Sequence, residues 1–473
     1  MNKKWLICIA SIMFCAPIFS QDDILQSSDL QVIASLLVDN PDIAKNRAEK
    51  LIKKNKENTD LIAAIGTVFL RGGKIDDAEE YFYRTRQCYK ITPRAINLGG
   101  DIARAKNDLD SAKYYYERSM YFDRRDPEAY YKYADLVKAK DIEKAVETLN
   151  LLKRNRPDLN VNKRIAEIYY TANNLDKTIE TYEAIGVDSL DDKELMQYAL
   201  VLFLKKDYQK SLNLAELGHQ RNAEDPVFDR LLLYNNTELE KYENAEKAAD
   251  DLFNHSKDPK FQYQDYIYYG YALNGLGKTQ EAIAQFNIAL QKNANLPGIN
   301  KQISDAYAHI NDYDNAIKYY EIYVNSLKDN PENRAYELYQ LGRLYWRKGI
   351  SGRDGNDMTE EQRNAIEKAA RVFGEVTVLR PNSYLGYYWQ AKANGLLDPE
   401  YKKGIARPYY LKAIELLEQS GESKEQLIEC YKQLSYYYYV KKEYDASVTY
   451  ARKIQALDPD DDYAKQVIET VKK

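Results

Sequence analysis

YQDYIYYGYALNGLGKTQEAIAQFNIALQKNANLP, residues 263–297, is the stretch that decides the fold. Tyr266, Tyr269, Gly270 and Leu273 fall at i, i+3, i+4 and i+7, one face of a helix. GLGKT breaks that helix, with Gly277 as its ending residue. Ala282, Phe286 and Ala289 then mark one face of a second helix, and Pro297 closes the stretch. Gly270 and Ala282 are small, as a close helix crossing requires, and Leu273 and Phe286 fill the space beside it.

The same unit recurs along the chain. Its small slot is Ala78, Ala112, Ala145, Thr178, Ser211, Ala245, Ala282 and Ala316, at steps of 34, 33, 33, 33, 34, 37 and 34 residues. Ala44 lies one period upstream. Ala369 and Ala406 follow at longer steps of 53 and 37, and a last unit holds Ala446 and Ser447. A period of this length marks stacked helix pairs, none of which buries its apolar face alone.

The pattern resembles the tetratricopeptide repeat family. Tyr266, Tyr269-Gly270, Leu273, Ala282, Phe286, Ala289 and Pro297 carry the family signature. Ile62, Ile65-Gly66, Phe69, Ala78 and Phe82 repeat it, as do Leu338, Leu341-Gly342, Tyr345, Ala369, Phe373, Val376 and Pro381. Thr178 and Ser211 depart from it, and so does Gly99-Gly100 at the Leu-Gly slot. The resemblance implies an all-α, right-handed superhelical solenoid of about twelve helix-turn-helix units. The expected divisions are an array over 21–348, an insertion loop over 349–364, further array over 365–462, and a capping helix over 463–473. Thr359 with Gln362 fits a helix start, which predicts a helix from about Glu360 to Leu379. The acidic residues of that insertion lack the alternating ligands of a calcium loop. DPEYKKG, 398–404, is a second loop extension, after which Pro408 fits the first turn of a helix.

The first twenty residues read differently. Lys3 and Lys4 precede the apolar run WLICIASIMFCA, then Pro17 and Ser20, which is the pattern of a cleaved secretory signal over 1–20. Large residues before Cys15 argue against lipidation, so the mature chain is expected in the periplasm, without a lipid and without a membrane span. Its remaining cysteines, Cys88 and Cys430, are too far apart in such a fold to bridge. A net charge of −5 argues against nucleic acid as partner and against a generally anionic-membrane-binding surface.

Catalytic chemistry is not legible. His219, His255 and His309 are isolated, no CxxC is present, and neither a GxSxG nor a phosphate-binding glycine loop occurs. The chain is read as a non-enzyme with no metal and no cofactor. What remains is surface. The family resemblance implies that A helices, the first of each pair, line a groove. It places Tyr336, Tyr339, Arg343, Trp346 and Arg347 there, with Lys301, Asp305 and Tyr271 from neighbouring units. Arg230 with Tyr234, and Lys163 with Tyr170, are the counterparts upstream. Tyr, Trp and Arg supply large contact areas and dominate interface energetics. The Lys/Asn/Arg set that clamps a terminal carboxylate is not found in consecutive units.

Tyrosine is the compositional oddity, 44 residues against 11 Phe and 3 Trp. Four stand together in LSYYYYV, 434–440. Helix geometry spreads them over different faces. If Ser447 is the small slot, Tyr438 is the core ring and Tyr436 and Tyr439 face the groove; if Ala446 is, Tyr437 becomes the core ring. The expected function is a periplasmic scaffold that holds a partner protein or peptide of the cell envelope, in outer-membrane assembly, transport or energy transduction. The alternative is glycan or peptidoglycan binding through groove tyrosines.

Overall fold

A computed structural model of the chain describes residues 27–353, 355 and 357–471, so the expected signal segment 1–20 lies outside the described residues. Among these, 25 α-helices and no strand are present, in antiparallel pairs that run from Ser28–Asp39 with Pro41–Lys54 to Lys424–Val440 with Tyr444–Leu457, followed by Asp462–Val471. Among the described residues this is an all-α helical array of the tetratricopeptide type, built of successive helix pairs and one closing helix.

The unit that opened the sequence reading shows why each pair forms. Helix Tyr263–Gly275 ends at a turn in which Gly277 takes φ +75°, and the Lys278 N–H returns to the Leu273 carbonyl at 2.9 Å. Helix Thr279–Lys292 then crosses it. A Cβ on Gly270 would lie 2.5 Å from the Phe286 ring, so only glycine permits this crossing. Leu273, Ala282, Phe286 and Ala289 are buried around it. Burial of a ring such as Phe286 contributes roughly 2–3 kcal/mol.

The slot residues found in the sequence are all core. Ala78, Ala112, Ala145, Thr178, Ser211, Ala245, Ala316, Ala369 and Ser447 have no solvent exposure. Five residues before many of them the chain adopts a left-handed conformation, at Gly73, Asn107, Asn173, Lys206, Glu240, Gly277, Asn311 and Lys442. Lys442 therefore marks Ser447 as the slot of the last pair. Ser435 and Ser447 face each other there, each hydroxyl donating to the other's carbonyl at 2.9 Å. That settles the register left open by the sequence, and Tyr438 is the core ring.

Two irregular connections follow the longer steps. Helices Pro331–Ile350 and Glu360–Leu379 both extend to 20 residues. The first ends at Ile350 and the second begins at Glu360, within the expected insertion 349–364. Thr359 and Gln362 form the expected reciprocal cap. Before helix Arg407–Ser420, the buried Asp398 carboxylate accepts the N–H groups of Lys403 at 3.0 Å and Gly404 at 2.7 Å, which folds the second extension into a compact loop. Pro408 sits in the first turn of that helix. The final described helix, Asp462–Val471, covers the end of the last pair with buried Ala464 and Val467.

The chain falls into two compact units. One ends at Asp207 and the other begins at Tyr208. In the first unit, helix Thr59–Arg71 and the helices that follow it build a core from Ile65, Phe69, Tyr81 and Leu98 toward Tyr116, Tyr130 and Leu149. In the second, helix Tyr208–Arg221 packs on Pro226–Glu238, where a Cβ on Gly218 would lie 2.1 Å from Phe228. Its core continues through Phe286, Phe373, Tyr410 and Tyr438.

Candidate partner-binding groove

Tyrosine abundance has a structural cause. Where other pairs carry Phe82, Phe286 or Phe373, several carry Tyr116, Tyr182 or Tyr320, all buried. A buried hydroxyl requires a partner. Tyr116 donates to Asp101 at 2.8 Å, Tyr182 to Gln197 at 2.7 Å, and Tyr320 to Glu337. Each acceptor stands on an A helix. The core rings thus tie B helices to polar residues on the A-helix side.

Charges on the A helices are joined in the same way. In the first unit Lys132 meets Asp101 at 2.5 Å, and Lys163 meets Glu194 at 2.5 Å. In the second, Arg230 meets Asp265 at 2.6 Å, Lys301 meets Glu337 at 2.8 Å, and Lys392 meets Glu429 at 2.9 Å. Partners lie about one repeat apart, so adjacent A helices are stitched and the cation of each pair is locally neutralised.

Against this background one groove in the second unit is open. Helices Pro297–His309 and Pro331–Ile350 enclose about 550 Å³ between Lys301, Asp305, His309, Tyr336, Gln340, Arg343 and Arg347. Tyr336 is 59% exposed. Among the described residues neither Arg343 nor Arg347 has a carboxylate partner. Burial opposes the Lys301 charge, but its hydrogen bond to Glu337 and the Glu337 field outweigh burial and raise its pKa. Asp305 opens to solvent, yet the groove walls crowd its carboxyl: desolvation pushes its pKa up against the pull of Lys301.

The structure splits the expected cluster. On a helix, residues 336, 339, 343, 346 and 347 span an arc of about 100°. One edge, Tyr336 and Arg347, faces the groove. The other, Tyr339 and Trp346, packs on Trp389 of the next A helix at centroid distances of 6.2 and 5.3 Å. Arg343 stands between the edges, 5.8 Å over both Tyr339 and Trp389. Trp389, Glu337 and Gln340 were missed by the sequence reading. Gln340 was legible, four residues after Tyr336; the roles of Trp389 and Glu337 depend on the neighbouring repeat.

Other expected contact residues are packing. Arg230 and Tyr234 are corrected outright: both are buried, with Tyr234 donating to Asp265 at 2.6 Å and stacked on Tyr268 at 4.0 Å. Desolvation raises the Tyr234 hydroxyl pKa well above its ordinary value. Tyr271 is half-buried against Phe286, centroids 5.4 Å apart. Tyr436 and Tyr439 are exposed, edge-on to Tyr401 and Tyr444. Tyr437 covers Gly404, and Tyr438 stacks on Tyr450 and accepts from Arg407 at 3.0 Å. Lys163 is paired and Tyr170 is half-buried. Cys430 is buried, and desolvation pushes its thiol up to about 12, whereas Cys88 is half-buried; both are free.

No protein-family model matches the chain, and no curated protein matches it. Among solved structures, it is similar to the C-terminal part of a TPR repeat-containing protein from Cytophaga hutchinsonii, at 27% identity over 57% of this chain and 98% of that one, with a TM-score of 0.47. A MamA structure is similar at 17% identity over 36% of this chain and 95% of that one, TM-score 0.32. A structure of Naa15/Naa10 bound to HypK-THB is similar at 12% identity over 94% and 96%, TM-score 0.29. With scores below 0.5, the tetratricopeptide-type pairing is carried by this chain's own helix crossings.

Proposed function

We propose that the protein is a periplasmic interaction scaffold and that the groove of its second unit seats an extended, acidic segment of a partner protein in the cell envelope. The carrying observation is the pair Arg343 and Arg347, without acidic partners among the described residues, beside the exposed Tyr336. Lys132, Lys163, Arg230, Lys301 and Lys392 are each matched by an acid on an adjacent A helix, so unmatched arginines leave a net positive groove. Arginine pairs bidentately with carboxylates, and a tyrosine at its side adds apolar contact. The periplasmic setting rests on the N-terminal pattern Lys3-Lys4, apolar run, Ser20.

The test is cross-linking and affinity purification from solubilised envelopes, with the wild type compared to Arg343→Glu/Arg347→Glu. The expected result is loss of partner recovery by on the order of tenfold or more, as for removal of paired hot-spot residues. Equal recovery of the same partners by both baits sinks the proposal. Retention on purified peptidoglycan, with no protein partner recovered, replaces it by the glycan reading.

A further inference from the structure

The first unit carries an edge that the groove does not explain. The turns from each B helix into the next A helix lie side by side along it. Cys88 reaches the Lys56 carbonyl at 3.8 Å, Ser119 the Pro93 carbonyl at 3.4 Å, and Arg156 the Arg125 carbonyl at 3.2 Å. The first turn therefore abuts the second and the third abuts the fourth, while the second and third are joined through the helix ends beside them.

Their charge is unlike that of the rest of the chain. Residues 50–58, 81–92, 118–126 and 151–160, the ends of B helices with the turns that follow, hold 13 Lys or Arg against 4 Asp or Glu. The eight corresponding stretches, 181–191, 217–225, 251–262, 288–296, 321–330, 375–383, 416–423 and 453–461, hold 7 against 15. Cations at helix C-termini complement the helix dipole. That effect is the same at all twelve ends, so it does not account for a basic edge confined to four. Lys54, Lys56, Arg86, Lys90, Arg124 and Arg125 are exposed and have no ion pair among the described residues. The net charge of −5 conceals this edge by averaging it with acidic stretches elsewhere.

Apolar side chains project from the same turns. Tyr89 is fully exposed, Tyr121 is 81% and Phe122 53% exposed, and Ile91 is exposed beside them. Unpaired cations would suit any polyanion. Ile91 offers nothing to a phosphate backbone and cannot stack on a base. Rings and aliphatics at loop tips, flanked by Lys and Arg, match the interface of a bilayer, where cations meet headgroup phosphates and apolar tips enter the acyl boundary.

We propose that the turn edge of the first four repeats docks on an anionic lipid bilayer. Peripheral contact of this kind needs no spanning helix, and among the described residues none is long and apolar enough to span.

The test is co-sedimentation of the mature chain with phosphatidylcholine vesicles, with and without about a third phosphatidylglycerol. Residues 1–20, expected to be cleaved, are omitted from wild type and all variants, so that their apolar run does not hold the chain on the vesicles. Wild type is expected to bind the anionic vesicles and to weaken on the order of tenfold in high salt. Arg86→Glu/Lys90→Glu/Arg124→Glu/Arg125→Glu is expected to weaken it by on the order of tenfold or more. Tyr121→Ala/Phe122→Ala should weaken it severalfold and keep the salt dependence. Arg343→Glu/Arg347→Glu should bind vesicles as wild type does, which separates this proposal from the groove. If the quadruple variant loses its helical circular dichroism, Lys53→Glu/Lys54→Glu takes its place, with a severalfold loss expected. Equal binding of wild type and charge variants, or equal binding to both vesicle types, overturns the proposal. So does capture of wild type by single-stranded nucleic acid or a polyacidic protein but not by anionic vesicles.

Discussion

Arg230 with Tyr234, and Arg343 with Tyr336, are the same residue types on A helices of one unit, yet they have opposite fates. Arg230 is 7% exposed and Asp265, its partner one repeat on, is 0% exposed. Arg343 meets Trp389 instead of an acid and remains on the wall of an open groove. An arginine's availability is therefore set by the residue on the next A helix. Asp265 closes the first site by charge and hydrogen bonds; Trp389 supports the second from one side and leaves its guanidinium without a counterion.

Removal of the closing acid should have the largest effect. Asp265→Ala leaves a buried cation and the Tyr234 hydroxyl uncompensated, at a cost of roughly 3–5 kcal/mol. Hydrogen exchange within the second unit measures it. Arg230→Met/Asp265→Leu should recover most of that loss, because the isolated charge is gone. If the double variant is as unstable as the single, packing rather than charge closes the site.

Trp389→Ala attacks the support of the open site. Its ring is half-buried, so the cost is roughly 2–3 kcal/mol, below that of a fully buried ring. Partner affinity should fall with it, since Tyr339 and Arg343 lose the surface that orders them. Unchanged affinity in a folded variant would show that the groove edge of helix 331–350 acts without that support.

Glu337→Gln should cost about 1–2 kcal/mol, since the buried acceptor of Lys301 and Tyr320 loses its charge but keeps an oxygen. It also frees Lys301, so an acidic partner should bind more tightly; weaker binding would reverse the assigned sign of the groove. Arg343→Glu/Arg347→Glu should cost about 1 kcal/mol, since Arg347 is exposed and half-buried Arg343 gives up its position over the Tyr339 and Trp389 rings. A loss of several kcal/mol would mean that these arginines are as embedded as Arg230.

The extent of legibility follows the range of the interactions. The Tyr266-to-Leu273 face, the Gly277 turn and the Ala282–Phe286–Ala289 face are local, and their periodicity is readable residue by residue. The cap formed by Thr359 and Gln362 was readable for the same reason. The splitting of Tyr336 and Arg347 from Tyr339 and Trp346 was not, because it depends on where Trp389 sits. The four tyrosines of 436–439 lay between these cases. Helix geometry separated their faces, but the register needed the mutual hydrogen bonds of Ser435 and Ser447.

By itself the sequence determined the repeat length, the pairing of helices, the small and large core slots and the absence of recognisable catalytic motifs. These rest on spacing within about one turn-linked pair. Only the tertiary structure decided which tyrosines are core, which cations are neutralised, and which remain open at Arg343, Arg347 and the turn edge of the first unit. Those outcomes are contacts between neighbouring helices, as far apart in sequence as Tyr339 and Trp389, where a shift of one helix position exchanges a buried ion pair for an exposed charge.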